Sequence, residues 1–143
     1  MKKSISTIQS DIINEFSMFD DWTEKYEYLI ELGKSVPKIK DAEKKDENLI
    51  KGCQSRVWLF VEKKEDYIIY TADSDAIITK GIIALLIRVF SYQKAEDIAN
   101  SNLHFIDKIG LKEHLSITRA NGMLSMLKQM KMYAIALSKT HNS

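Results

Sequence analysis

The chain has 143 residues with 21 basic and 20 acidic side chains, a net charge of +1. That balance removes any electrostatic ground for expecting a nucleic acid or an anionic membrane surface as partner. Its length and its 45% apolar content suit one domain over residues 1–143, with a core that needs neither disulfide nor metal.

Ile5, Ile8, Ile12, Phe16 and Phe19 recur at steps of three and four, which predicts an amphipathic first helix. Asp21 and Glu24 form a D-x-x-E start for a second helix, whose buried stripe is Trp22, Tyr26, Leu29 and Ile30. Gly33 reads as its left-handed C-terminal stop, with Pro37 just beyond. From Lys34 to Glu47 lysines alternate with acids and apolar residues are scarce, so a solvated connector is expected.

The stretch Asn48 to Trp58 holds the one cysteine, Cys53. Gly52 permits a tight or left-handed turn just before it, and polar Gln54 and Ser55 follow, which predicts a loop tip. A thiolate is a strong nucleophile, and no other side chain here offers comparable chemistry. A lone cysteine also reads as a small, inert core residue. One cysteine makes no intramolecular disulfide, and the N-terminal stretch has no leader pattern, so a reducing, cytoplasmic location is expected.

Val57, Leu59 and Val61 alternate with Arg56, Trp58 and Phe60, a strand period. Glu62 to Asp66 is charged and turn-like, and Tyr67 to Ala72 reads as a second strand, giving an antiparallel hairpin with a moderately long loop. A further strand ahead of Cys53 is left open. Asp73-Ser74-Asp75 closes the second strand and opens a helix over 76–91, where these side chains are expected to cap orphan backbone N–H groups. Ile77, Ile78, Ile82, Ile83, Leu85 and Leu86 surround most of that helix, which places it centrally; it is too short and too charged to span a bilayer. Short helices are predicted over 94–100 and 105–109, the latter stopped by Gly110, and Ser116 caps the last long helix. Met123, Met126 and Met130 at helical spacing fill a core rather than hold a soft metal. The class is α+β, a small antiparallel sheet with helices packed against it.

His104, His114 and His141 are the only histidines, and no H-x-x-x-H or C-x-x-C spacing argues for zinc. No Gly-rich loop follows a strand, so nucleotide binding has no support. From the residues alone two roles stay open for Cys53. It is the nucleophile of a thiol-dependent hydrolase or peroxidase with His114 as base, or a structural cysteine in an interaction module.

Four patches occur in order: Trp22-Thr23-Glu24-Lys25-Tyr26 with Leu29 to Gly33, Gly52-Cys53-Gln54-Ser55-Arg56-Val57-Trp58, Asp73 to Ala76 followed by Lys80-Gly81, and His114-Leu115-Ser116 with Arg119, Asn121-Gly122 and Met126. Together they resemble the SufE family of sulfur-acceptor proteins, which serve cysteine desulfurases in iron–sulfur cluster assembly. The resemblance implies a SufE/IscU-like fold and a role for Cys53 in taking persulfide sulfur from a SufS-like, PLP-dependent cysteine desulfurase. It further implies relay to a SufBCD-like scaffold and stimulation of desulfurase turnover. PLP belongs to the partner, and this chain is expected to hold no cofactor or metal of its own. Gly52, Gln54, Ser55 and Arg56 then support a loop that rests packed and swings out on docking. Asp73 and Asp75 match an acidic pair that positions this loop or the partner. Arg119 stands one turn into the last helix, where a cation opposes the helix dipole, which suggests an acidic mate or a partner contact. His114 either tunes the loop or is a hydrogen-bonded structural histidine. Ile117 departs from the family, which commonly has proline there at the first helical position. A monomer and a homodimer both remain open.

Overall fold

The computed structural model describes residues 2–139; His141 lies outside them. Helix α1 spans Ile5–Phe16, α2 Trp22–Gly33, α3 Ile77–Phe90, α4 Ala95–Ala99, α5 Phe105–Lys108 and α6 Ile117–Ser138. Strands β1 (Val57–Lys64), β2 (Tyr67–Ser74) and β3 (Gln93–Lys94) form one antiparallel sheet in the order β1-β2-β3. The protein is therefore α+β, as its periodicities predict. Among the described residues no helix is long and apolar enough to cross a membrane.

Two of the predicted caps form, each where a short polar side chain precedes an apolar run. Asp21 accepts from the Glu24 N–H, and Ser116 accepts from the Arg119 N–H, each satisfying a donor that the helix itself leaves free. Phe19 falls beyond the end of α1 and stacks instead on Tyr28 of α2. The hairpin is tighter than its charged middle suggests. Pairing runs on to Lys64↔Tyr67, leaving only Glu65 and Asp66 in the turn, with Glu65 at φ 56°. The residues before Cys53 add no full strand, but Leu49 bridges Trp58 and the Ile50 N–H donates to the Val57 carbonyl. The third strand arises instead at Gln93–Lys94, where only Lys94 belongs to the segment read as helical, after Tyr92 turns the chain at φ 63°.

Helix α3 is the hub, packed against α1, α2, α6 and β2. Ile82, Ile83, Leu85 and Leu86 are buried as expected, while Ile77 at its start stands 64% exposed. Its contact with α2 overturns the reading of Gly33 as a left-handed stop. Gly33 ends α2 in ordinary helical geometry, and its absent side chain allows Gly81 of α3 to approach; a Cβ on Gly33 would lie 2.8 Å from the Gly81 nitrogen. A Cβ on Gly81 would in turn overlap the Leu29 carbonyl. Gly110, by contrast, read only as a helix stop, does adopt a left-handed turn, at φ 74°.

Polar side chains tie the layers. Glu15 of α1 binds the Arg88 guanidinium of α3 bidentately and accepts from the Tyr28 hydroxyl of α2. Buried Gln9 donates to the Asn102 carbonyl and accepts from the Phe105 N–H, fixing α1 to the turn before α5. Met123, Met126 and Met130 are fully buried along α6, so the methionine stripe is core.

Candidate functional site

The hairpin base positions Cys53. Because Ile50 bonds Val57 across the chain, residues 51–56 project as a closed loop ahead of β1, over the N-terminal half of α6. Gly52 turns this loop at φ 90°, a conformation that L side chains rarely adopt. It also seats the loop on α6, since a Cβ at Gly52 would lie 2.5 Å from Ser125 Oγ. Here glycine serves both conformation and fit.

The turn sends the Cys53 side chain back onto α6. Its Sγ donates to the Gly122 carbonyl at 3.6 Å, and the residue is half-buried. Burial pushes the thiol's pKa up, so the resting sulfur is a protonated thiol of low reactivity. Beside it is a cavity of about 40 Å³, walled by Gln54, Ser55, Thr79, Arg119, Gly122 and Met126. A water needs at least about 10–15 Å³ and organic ligands occupy clefts of about 300–1,000 Å³. The space therefore suits one or two heavy atoms added to the sulfur and is too small to enclose an organic substrate.

The remaining predicted residues divide. Asp75 is exposed, yet its carboxylate accepts from the Arg56 N–H at 3.0 Å, while the Ser74 hydroxyl donates to the Arg56 carbonyl at 2.8 Å. The start of α3 thus grips the trailing end of the Cys53 loop. Capping of α3 by the two aspartates does not occur: its N-cap is Ala76, with no side-chain bond to the first turn. Ser74 Oγ accepts only from the Ala76 N–H.

Asp73 lies away from the thiol cavity, 5% exposed, and bonds Lys44 at 2.8 Å and Lys80 at 3.3 Å. Burial works to raise its pKa, but the Lys44 hydrogen bond, the Ser74 N–H and Lys80 together outweigh it and hold the carboxyl at about 2. Lys44 also sits over the Trp58 ring, 4.6 Å from its centroid. The connector read as merely solvated is therefore fastened to the sheet by Lys44, by buried Ile39 and by a parallel bridge from Lys38 to Ala72.

Arg119 is exposed on the rim of the Cys53 cavity, with no acidic mate among the described residues. His114 is elsewhere. Its Nδ1 pairs with the Gly110 carbonyl at 2.8 Å and its ring stacks on Trp22 at 4.1 Å and 12°, so the thiol–imidazole pair needed for a Cys53–His114 hydrolase is not formed. Sequence reasoning did not single out Thr79, Thr118 or Ser125 for this site, and it gave Gly122 and Met126 no role there. A signal was present on α6: Thr118, Gly122 and Met126 fall at steps of four, on the stripe that continues into buried Met130.

Fold and site together define a small α+β protein presenting a single sheltered cysteine on a loop backed by a helix. A family model described as "SufE: Fe-S metabolism associated domain" matches residues 10–134, and the chain belongs to the SufE family, with a role in iron–sulfur metabolism. It is 37% identical over 130 residues to an uncharacterised SufE-like protein of Rhizobium meliloti (strain 1021), covering 87% of this chain and 93% of the relative. Another uncharacterised SufE-like protein, from Rhizobium etli (strain ATCC 51251), is 38% identical over 125 residues, 84% of each chain. The fold is shared with the solution structure of a hypothetical protein from Thermus thermophilus, at a TM-score of 0.78 and 14% identity, over 93% of this chain and 97% of that one.

Proposed function

We propose that the protein is a sulfur relay in which Cys53 accepts sulfane sulfur from a persulfide on a SufS-like, PLP-dependent cysteine desulfurase and passes it to an iron–sulfur cluster scaffold. The observation that carries this reading is the pairing of a half-buried, hydrogen-bonded thiol with an adjoining space of only about 40 Å³. In the transfer, the Cys53 thiolate attacks the outer sulfur of the donor persulfide. The donor's S–S bond breaks, its cysteine leaves as a thiolate with the bonding electrons, and a new S–S bond forms on Cys53; no external oxidant or reductant is consumed.

Rest and transfer make opposite demands. Attack needs an accessible thiolate, whereas the product persulfide is readily lost to reductants and oxidants. The resting geometry meets the second demand, with the sulfur against Gly122 and the added atom housed in the cavity. Docking meets the first by drawing the loop out into a less desolvated position, where the thiol's pKa falls. Arg119, free on the rim, then faces the developing anion or an acidic group of the partner. Ile77 and Ile117, 64% and 82% exposed at the starts of α3 and α6, offer that partner apolar contacts at the helix ends that also carry Thr79 and Thr118. PLP is the partner's cofactor in this scheme.

The test is incubation with a SufS-like desulfurase, PLP and cysteine, followed by alkylation and intact-mass measurement. A gain of one sulfur atom on Cys53, lost together with turnover stimulation in Cys53→Ser, is the expected result. A Cys53→Ser protein that still stimulates turnover fully would remove the relay.

A further inference from the structure

Helix α3 touches the Cys53 cavity at Thr79 and, from Ala84 to Arg88, borders a second cavity further along its length. This one is about 380 Å³, within the range of small-molecule sites, where the thiol cavity is not. Topology creates it. Strand β3 pairs only with Tyr67 and Ile68, while at the other end of β2 Ala72 exchanges hydrogen bonds with Pro37 and Ile39. Between them, residues 69–71 have no strand beside them on that edge among the described residues. The Tyr70 N–H is met there by the Ser91 hydroxyl at 3.0 Å instead. Leu32 from the end of α2, Pro37 from the connector, and Leu85 and Ile87 from α3 close around this gap and make its walls aliphatic.

The charges at the mouth are unequal. Arg88 is already committed to Glu15 in a bidentate pair. Lys2 donates to the Arg88 carbonyl at 2.9 Å and has no carboxylate partner among the described residues. Its burial, and next the adjacent Arg88 charge, push its pKa down, a penalty that an anion seated beside it would reverse. Protein interiors are normally packed with few voids larger than a water, so an aliphatic recess of this size retains apolar surface that a ligand can cover.

We propose that this cavity binds a small amphipathic carboxylate, its aliphatic chain lying between α2, α3 and the open edge of β2 and its head group on Lys2. A single uncommitted cation matches a monocarboxylate; a phosphate group calls for several charged donors converging on it. The site is separate from Cys53 and does not depend on the relay reading.

The probe is decanoate, with decan-1-ol as its neutral counterpart, titrated into the full-length protein and followed by amide chemical shifts. Saturable decanoate binding is expected, with shifts concentrated at residues 69–71 and 84–91, and the same affinity in Cys53→Ser. Charge reversal in Lys2→Glu should weaken decanoate by about fivefold or more and leave decan-1-ol unchanged. Filling the recess in Ala84→Leu, or in Ser35→Leu if the former does not fold, should remove binding of both. Absence of saturable binding would overturn the proposal, as would shifts confined to the exposed Met132–Ile135 face of α6. Equal loss of acid and alcohol in Lys2→Glu would overturn the head-group assignment.

Discussion

Replacing Gly52 by alanine perturbs the Cys53 loop at its tightest point. At rest φ is 90°, and the new methyl would lie 2.5 Å from Ser125 Oγ and 3.3 Å from its Cβ. Holding alanine in such backbone geometry costs about 1–3 kcal/mol. The contact adds less, because the Ser125 hydroxyl is a flexible tip that can rotate at a cost of about 1 kcal/mol. A closed loop destabilised by about 2 kcal/mol raises the open population roughly thirtyfold, at 1.4 kcal/mol per factor of ten. In the open loop residue 52 is free to take negative φ, so the penalty falls on the closed state. The assay is the rate of Cys53 alkylation by iodoacetamide under native conditions, with urea denaturation run alongside to separate local from global opening. The expectation is alkylation faster by ten- to a hundredfold, reduced only in part when Ser125→Ala relieves the contact and leaves the backbone strain. An unchanged or slower rate in Gly52→Ala would refute the reasoning, since the thiol would then be reached without the loop leaving α6.

Other outcomes follow from the same geometry. The pH midpoint for Cys53 alkylation in the resting protein should lie above that of a free cysteine peptide, because burial disfavours the thiolate; a midpoint at or below the peptide's would contradict the resting geometry. The same raised pKa makes the thiol's contribution to stability complete below the unfolded-state value and lost as pH climbs through the folded one. For Asp73 the sign is opposite. A carboxyl held at about 2 rather than 3.8 stabilises the fold by about 2 kcal/mol at neutral pH, fully present above the unfolded-state value and lost as pH falls towards 2. Asp73→Asn should therefore lower urea stability by about that amount at pH 7, with the gap to wild type closing in acid; a gap independent of pH would count against the ion cluster. Gly81→Ala pits helix propensity, worth about 1 kcal/mol in favour, against overlap with the Leu29 carbonyl, where overpacking costs about 1–3 kcal/mol or more. Because that neighbour is backbone, net destabilisation is expected in urea titration, and a stabilised variant would show that α2 and α3 separate freely.

What the sequence disclosed was whatever depends on near neighbours along the chain. The Ser116 cap, the Gly110 turn, the apolar surround of α3 and the alternation of β1 each rest on residues within one or two turns. Gly52 and Cys53 belong to this class, since a glycine before a cysteine and two polar residues already describes a loop tip. Gly33 was misread because a helix-terminal glycine serves either a left-handed stop or a close crossing, and only the arrival of Gly81 decides between them. Asp73 and Asp75 were misread as caps for a similar reason. Of the groups that claim them, Lys44 arrives by the connector and the Arg56 N–H by the strand register, while Lys80 comes from the first turns of α3. The two-residue β3 carries no periodic signal at all, being defined by the backward turn at Tyr92 and its bond to Ile68.

The hydrogen bond from Ile50 to Val57 has a mechanical consequence. In the proposed relay the tied neck would let the tip tilt like a bucket handle without unzipping the sheet beyond. The handle is held by the Asp75 and Ser74 bonds to Arg56, by the Cys53–Gly122 bond and by Gly52 against Ser125, so the work of lifting the sulfur would be set by a few local contacts rather than by the stability of the whole molecule.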